Sequence, residues 1–449
     1  MTRERNLGKN IMKKFQKSKI NLNRILEWGS YLLLFLLPLQ TRYFLKIVKI
    51  GGEYWEYGSF SLYLSDILIA FLLLLFVIKF FKEKVDFKKL KIRKIWYLFA
   101  LLEFFVFISI FAADLKTVAF YFYIKILLGF SLFLLLTELK LENKKIVFSI
   151  LSGVLVQSFI ALWQFFLNFS KANKYLGMAE HNPSDLGVFV IELEDKTRLL
   201  RSYGGLDHPN ILGVYCFFGL FILVKYYLGK RHSDALRKSD WGVFISAALM
   251  FLGMLLSFSK AAYIIFFIFS FFLFFWMFFD KLRRVRVAQI LLLFSIVFMV
   301  FSFTNSERFS ERMNVGSRLE SRSNSERVLQ ISEAIQMNKK ELLFGVGGGN
   351  YTDYLARQDY YRGKSWEYQP VHNVFLLVLN EIGLFGMLVF SSIFFFYLYR
   401  LMKAKIYFDF IFLILIMITF MFDHWFWSLH FGILFLFLIF ALLERRLKD

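Results

Sequence analysis

The chain has 449 residues, 58% of them hydrophobic and 20% aromatic, with a mean hydropathy of +0.55. A soluble domain of this length needs far less apolar matter, so lipid is the expected solvent and a separate soluble domain is excluded. The formal charge of +21 would suggest nucleic acid in a soluble protein, but the basic residues lie between apolar runs, where they set orientation, and nucleic acid is excluded as a partner.

The N-terminal basic stretch and the short apolar run Tyr31–Leu39 resemble a signal peptide, but no small-residue cleavage site precedes Gln40-Thr41-Arg42. An uncleaved first helix is expected. A bilayer core of about 30 Å needs roughly 20 apolar residues per helix. Such runs fall at 24–41, 62–81, 95–113, 117–137, 146–169, 208–228, 241–257, 261–279, 287–304, 373–399, 408–423 and 430–443. The expected fold is therefore all-α: a single polytopic membrane domain over 1–449 with about twelve membrane-spanning helices. Eight Lys/Arg lie in the first 24 residues, eight in Lys79–Lys94 and three at the C-terminus, whereas Lys116 and Lys260 stand alone in their loops. Excess positive charge marks the cytoplasmic side, so both termini, including a basic tail over 1–23, are expected there. The one cysteine, Cys216, lies inside an apolar run, which excludes an intrachain disulfide and a multi-cysteine metal site.

Two connections on the outer side are long, 170–207 and 305–371, and the second, between helices nine and ten, exceeds any ordinary loop. Within it Val328, Ile331 and Ile335 recur at helical spacing beside Arg327, Glu333 and Lys339, which predicts an amphipathic helix against the membrane surface. Candidate chemistry gathers on this side. His181, His208, His372, His424 and His430 fall outside, and His232 alone falls inside. A histidine at a helix end can simply sit at a wet interface; His372-Asn373 differs in standing where the long loop re-enters the membrane. Glu381 follows about 13 Å deeper on the same helix, where an ionisable group must face protein or water. Gly383 and Gly386 on that helix are expected to serve close helix packing.

In the stretch Arg201–Asn210, a cation, two glycines, His208 and Asn210 stand at a helix mouth that favours anions. Lys260 closes a tight turn after Ser257, where interfacial snorkelling is the bland alternative. Gly345-Val346-Gly347-Gly348-Gly349-Asn350 could offer backbone N–H groups to a phosphate, or be no more than a flexible turn. Arg201, Lys260 and Arg327, near glycine-rich backbone and a histidine, are the parts needed to hold a diphosphate leaving group while a hydroxyl is deprotonated.

The order R-S-x-G-G-x-x-H-P-N, S-x-S-K-A, E-R, G-V-G-G-G-N-Y and H-N-x-x-L-x-x-x-N-E-x-G-L-x-G resembles the O-antigen ligase family over about 201–443. Asp423-His424-Trp425-Phe426-Trp427 also resembles a turn of some members. The resemblance implies transfer of a glycan from an undecaprenyl-diphosphate donor to an acceptor hydroxyl of a glycolipid, polymer or protein, at the outer face of a bacterial cytoplasmic (inner) membrane. It implies an inverting reaction with no cofactor and no metal. It places His372 as base, Arg327, Arg201 and Lys260 at the diphosphate, and Gly347, Gly348, Asn350, Asn373, Glu381, His208 and Asn210 in support. Lys260 departs from the family's S-R-G: it keeps the charge but loses the planar fork of arginine. A polymerase of oligosaccharide repeats shares these features, and a transporter or lipid-glycan flippase is the alternative from another class.

Overall fold

The structure, a computed structural model, describes residues 22–50, 52–82, 93–229, 238–358 and 364–448. Most of the basic tail, the centre of the Lys79–Lys94 loop and His232 lie outside these. Helices form at all twelve expected spans: α1 (Leu22–Leu36), α2 (Leu64–Lys82), α3 (Lys94–Ala112), α4 (Lys116–Glu138), α5 (Asn143–Leu167), α6 (Pro209–Leu228), α7 (Lys238–Leu256), α8 (Lys260–Phe279), α9 (Arg284–Thr304), α13 (Val374–Lys403), α14 (Tyr407–Thr419) and α16 (His430–Arg446). Between them stand α10 (Ser306–Met313), α11 (Arg318–Glu341), α12 (Tyr351–Arg357) and the short α15 (Trp425–Ser428).

Eight of the described helices, α2 to α6, α8, α9 and α13, are long and apolar enough to cross a membrane by themselves. Of the other four, α1, α14 and α16 have 15, 13 and 17 residues, and the apolar part of α7 is Asp240–Leu256. At 15 residues α1 rises about 22 Å, and it stops before Pro38 rather than running to 41. α6 is the central helix: 89% of its apolar window is buried, matching a sequence apolar on every face. α5, α7 and α8 pack around α6, while α16 lies against α4, and α13 against α3. Phe166, Phe279 and Phe303 are exposed, as expected of a surface that meets lipid tails.

The polar connections gather at two ends. At one, Ser202 N donates to Leu256 O (3.1 Å), Arg312 Nε to Phe258 O (2.8 Å), Leu115 N to Asn350 Oδ1 (3.0 Å) and Asn210 Nδ2 to Asp423 Oδ2 (3.0 Å). At the other, Arg93 pairs with Glu138 (2.6 Å), Arg400 with Glu444 (2.6 Å), Lys145 with Glu27 (3.3 Å) and Lys225 with Asp409 (2.6 Å). The loops expected on one side thus meet at one end, as strict alternation requires.

Two features depart from expectation. Residues 42–63 form short strands β1 (Arg42–Lys46), β2 (Lys49–Ile50), β3 (Glu53–Tyr54) and β4 (Phe60–Tyr63), with β1 antiparallel to β4 and β2 to β3; β5 (Val190–Glu192) and β6 (Arg198–Leu200) make a third pair in the 170–207 connection. α13 is also broken at Gly383 (φ 72°, ψ −179°). The end of α11 enters the break: Leu384 N donates to Leu342 O (2.8 Å), Val346 N to Asn380 O (2.8 Å) and Gly347 N to Glu381 O (2.9 Å). Gly383 therefore accommodates an incoming loop rather than a neighbouring helix, which corrects the packing role expected for it. A Cβ there would lie 2.1 Å from the Leu343 carbonyl oxygen.

Candidate active site

His208 caps α6, its Nδ1 accepting from Asn210 N (2.9 Å). Asn210 then has its side chain free to bridge. Its Oδ1 accepts from an Arg201 terminal nitrogen (2.8 Å) and its Nδ2 donates to Asp423. Arg201 is buried, and its Nε donates to Ser257 O (3.0 Å), the carbonyl exposed where α7 ends. The other Asp423 oxygen accepts from His424 N (2.8 Å).

His372 closes this group. Asn373 caps α13 by accepting from Leu376 N (3.0 Å), and Val374 N donates to Phe420 O (2.9 Å), which fixes the helix start beside the 420–424 turn. The His372 and His424 rings are 5.0 Å apart and nearly perpendicular. His372 Nδ1 is 2.7 Å from Gln330 Oε1. An amide oxygen can only accept, so the ring proton is on Nδ1, and Nε2 keeps its lone pair. Burial lowers the His372 pKa, with Arg327 adding to the effect and Asp423 opposing it. Burial raises the Asp423 carboxyl, but the surrounding His424, His372 and His208 rings and the Asn210 amide outweigh this and hold it at about 2. The result is a neutral imidazole beside a carboxylate.

Four cations lie on one flank. Gln330 is on the buried face of α11, and Arg327 precedes it by one turn, so both point the same way. The amphipathic helix expected here is α11, with Val328, Ile331 and Ile335 exposed on its outer face. Lys260 Nζ donates to Glu320 Oε2 (2.7 Å), and Arg312 pairs with the other Glu320 oxygen. Burial lowers Arg201 and Arg312, and the nearby arginines lower each of them further. Arg327 Nε is buried with no hydrogen-bond partner among the described residues. Lys260 and Arg312 thus share the Glu320 carboxylate, while Arg201 reaches Asp423 through Asn210. A cleft lined by Ile191, Glu192, Glu311, Arg318 and Glu320 reaches Arg312.

Arg201, Lys260, Arg327, His372, His208 and Asn210 are thus gathered at one end of the bundle. The glycine loop has a different place from that expected of a phosphate cradle. Its N–H groups are spent inside the protein: Gly347 N on Glu381 O, Gly348 N on Ser109 Oγ (3.1 Å), and Gly349 N with Tyr351 N on the Glu381 carboxylate. Asn350 holds Leu115 N and Gly348 O. Glu381 also accepts from Trp427 Nε1 (2.8 Å). Gly347, Gly348, Asn350 and Glu381 therefore form a buried joint between α13, α3 and α4. His181 stacks on Tyr203 (3.9 Å), and His430, buried rather than at a wet interface, bonds Ser65 (2.8 Å) and stacks on Tyr63 (3.8 Å), so neither belongs to the His372 group.

Sequence reasoning missed Arg312 and Gln330. Arg312 is one of several arginines in a polar stretch and nothing marks it out; Gln330 lies three residues after Arg327, a helical spacing that could have found it. His372, Asp423 and His424 each offer a ligand atom within 4.8 Å of the others, a set able to hold a metal ion. Both Asp423 oxygens and both histidine Nδ1 atoms already have hydrogen-bond partners, leaving Nε2 as the open position on each ring.

Comparison with curated proteins found no match. Comparison with family models found one: residues 245–391, about a third of the chain, match the model described as O-Antigen ligase. That stretch carries Lys260, Arg312, Arg327, Gln330, the glycine loop and His372. In the segment that supplies most of the site, the chain is similar to the O-antigen ligase family, as the order of its motifs implied.

Proposed function

We propose that the chain transfers a glycan from a lipid-diphosphate donor to an acceptor hydroxyl at the end of the bundle that carries His372. The observation that supports this most is the convergence of Arg201, Lys260, Arg312 and Arg327 beside a histidine kept neutral. A diphosphate departs with several negative charges; a neutral sugar hydroxyl must lose one proton. His372 Nε2 accepts that proton as the acceptor oxygen forms its bond to the anomeric carbon and the bond to the diphosphate oxygen breaks. The new imidazolium is held between Gln330 and Asp423, and the electron pair leaves on the diphosphate, which the four cations receive. Attack opposite to the leaving group inverts the anomeric centre. A positioned base contributes roughly 10²–10⁴ in rate, and each preorganised charge at the leaving group roughly 10²–10³.

The site end is the outer face of a cytoplasmic membrane in this reading, because the opposite end carries the dense basic loops. Val315, exposed between α10 and α11, tests it: Val315→Cys should react with an impermeant maleimide in intact cells and Lys403→Cys should not, with Cys216 buried and silent.

The chemistry is tested by replacing Arg201, Arg312 and Arg327 singly with Ala and measuring glycan transfer in membranes supplied with undecaprenyl-diphosphate-linked glycan. Each variant should lose roughly a hundredfold or more in rate at normal membrane abundance. Wild-type rates in all three would remove the diphosphate reading. A polymerase would run the same steps with a second lipid-linked glycan as acceptor.

A further inference from the structure

His372, Asp423 and His424 meet where the start of α13 packs beside the 420–424 turn. Each offers a ligand atom, and those atoms all lie within 4.8 Å of one another. Asp423 and His424 are buried and His372 is half-buried. Whether such a set can take a metal depends on where the ring protons are. A neutral imidazole has one nitrogen that donates and one that keeps its lone pair, and only the second can be a ligand.

Both rings carry the proton on Nδ1. His372 Nδ1 faces Gln330 Oε1 (2.7 Å), which can only accept. Ser428 Oγ donates its single proton to His424 O (3.2 Å), so toward His424 Nδ1, at 2.7 Å, it accepts. The lone pair of each ring is therefore on Nε2. His208 is arranged the other way: its Nδ1 accepts from Asn210 N (2.9 Å), its proton is on Nε2, and no lone pair is left for a metal. The two Asp423 oxygens accept from Asn210 Nδ2 (3.0 Å) and His424 N (2.8 Å), and each keeps a further lone pair. Metal-binding histidines almost always donate the other ring N–H to an oxygen, and ligating carboxylates are themselves hydrogen-bonded. All three residues have that support.

Two imidazole nitrogens and one carboxylate oxygen make a zinc donor set of the open kind, with a fourth position for water. Mg²⁺ and Ca²⁺ prefer oxygen on every side and fit it poorly. The negative charge of Asp423 is also available: among the described residues no Lys or Arg pairs with it, Arg201 reaches it only through Asn210, and Lys260 and Arg312 are taken up by Glu320. We propose that His372, Asp423 and His424 bind Zn²⁺ through the two Nε2 atoms and an Asp423 oxygen, and that the bound ion inhibits transfer. The lone pair on His372 Nε2 that would accept the acceptor's proton is given to the metal instead, so the ion and the reaction compete for one atom. The metal site stands without the transfer reading; its inhibitory effect rests on that reading.

The test uses the full chain in detergent, with Zn²⁺ titrated against a chromophoric chelator and Co²⁺ followed by its visible ligand-field absorption. The wild type should bind both ions at one saturable site, and Mg²⁺ in large excess should not displace Co²⁺. Ser428→Ala removes only the support of His424 and should weaken Zn²⁺ by about 10–100-fold; Ser428→Thr, which keeps the hydroxyl, should restore it. His424→Gln removes a ligand and should cost more, while His181→Gln, stacked on Tyr203 away from the group, should change nothing. In membranes holding donor and acceptor, added Zn²⁺ should lower transfer by roughly 10²–10⁴ and EDTA should restore it. Ser428→Ala should need more Zn²⁺ for half-inhibition, by the factor lost in affinity. Absence of saturable Zn²⁺ binding, or equal binding by wild type, His424→Gln and Ser428→Ala, overturns the metal site and leaves the transfer reading standing. Binding that follows the expected pattern, with transfer unchanged or raised by Zn²⁺, overturns the inhibition and removes His372 as the base while the metal site stands.

Discussion

Replacing Gly383 with Ala should destabilise the protein by roughly 4 kcal/mol. At φ 72° and ψ −179° the backbone is in a region open essentially to glycine, and holding alanine there costs about 1–3 kcal/mol. The new Cβ would also meet the Leu343 carbonyl oxygen at 2.1 Å, backbone that can yield only by moving away. That displacement endangers the three hydrogen bonds that dock the loop, from Leu384 N, Val346 N and Gly347 N, each contributing about 1 kcal/mol net. The purified protein in detergent should show an apparent melting temperature lower by roughly 5 °C or more by tryptophan fluorescence. Gly242→Ala is the control: it sits in α7 with nothing within 4 Å of the added Cβ, and alanine favours a helix by about 0.5–1 kcal/mol. Equal melting of Gly383→Ala and wild type would refute the view that the break in α13 is held by the glycine loop.

The site chemistry also gives a pH dependence. His372 must be neutral to accept a proton, and burial, with Arg327 added, lowers its pKa below 6.5. The transfer rate should therefore be level from about pH 7 upward and fall as pH drops below 6.5; a rate that climbs through pH 8 to 9 would assign the base elsewhere. The same assay with EDTA should show an unchanged rate, and a loss restored by one divalent ion would reassign His372, Asp423 and His424 as its ligands.

Much of the frame was legible because a membrane helix has a simple sequence requirement. Runs of Phe, Leu and Ile with basic ends fixed the helices to within a few residues, and a histidine at the mouth of a long loop drew attention to His372. The losses have particular causes. Residues 42–63 carry no clear alternation of apolar and polar side chains, and they are held by distant partners, Thr352 on Trp55 and Ser365 on Tyr54. The glycine run could hold a phosphate or fill a joint, and the deciding fact, the helix break at Gly383, depends on two segments about 35 residues apart meeting. Arg312 gained its place through Phe258 O and Glu320, contacts that no local pattern encodes.

The central claim is that His372 accepts the acceptor's proton, and His372→Gln tests it most directly. Glutamine can still bond Gln330 and keep the turn at Asp423 in place, but cannot act as a base at neutral pH. Glycan transfer should be measured in membranes holding the lipid-linked donor and a matched amount of each protein. The account predicts that the variant loses roughly 10²–10⁴ in rate with its melting temperature preserved; near-normal transfer by His372→Gln would contradict it and leave the histidine as a structural group at the helix mouth.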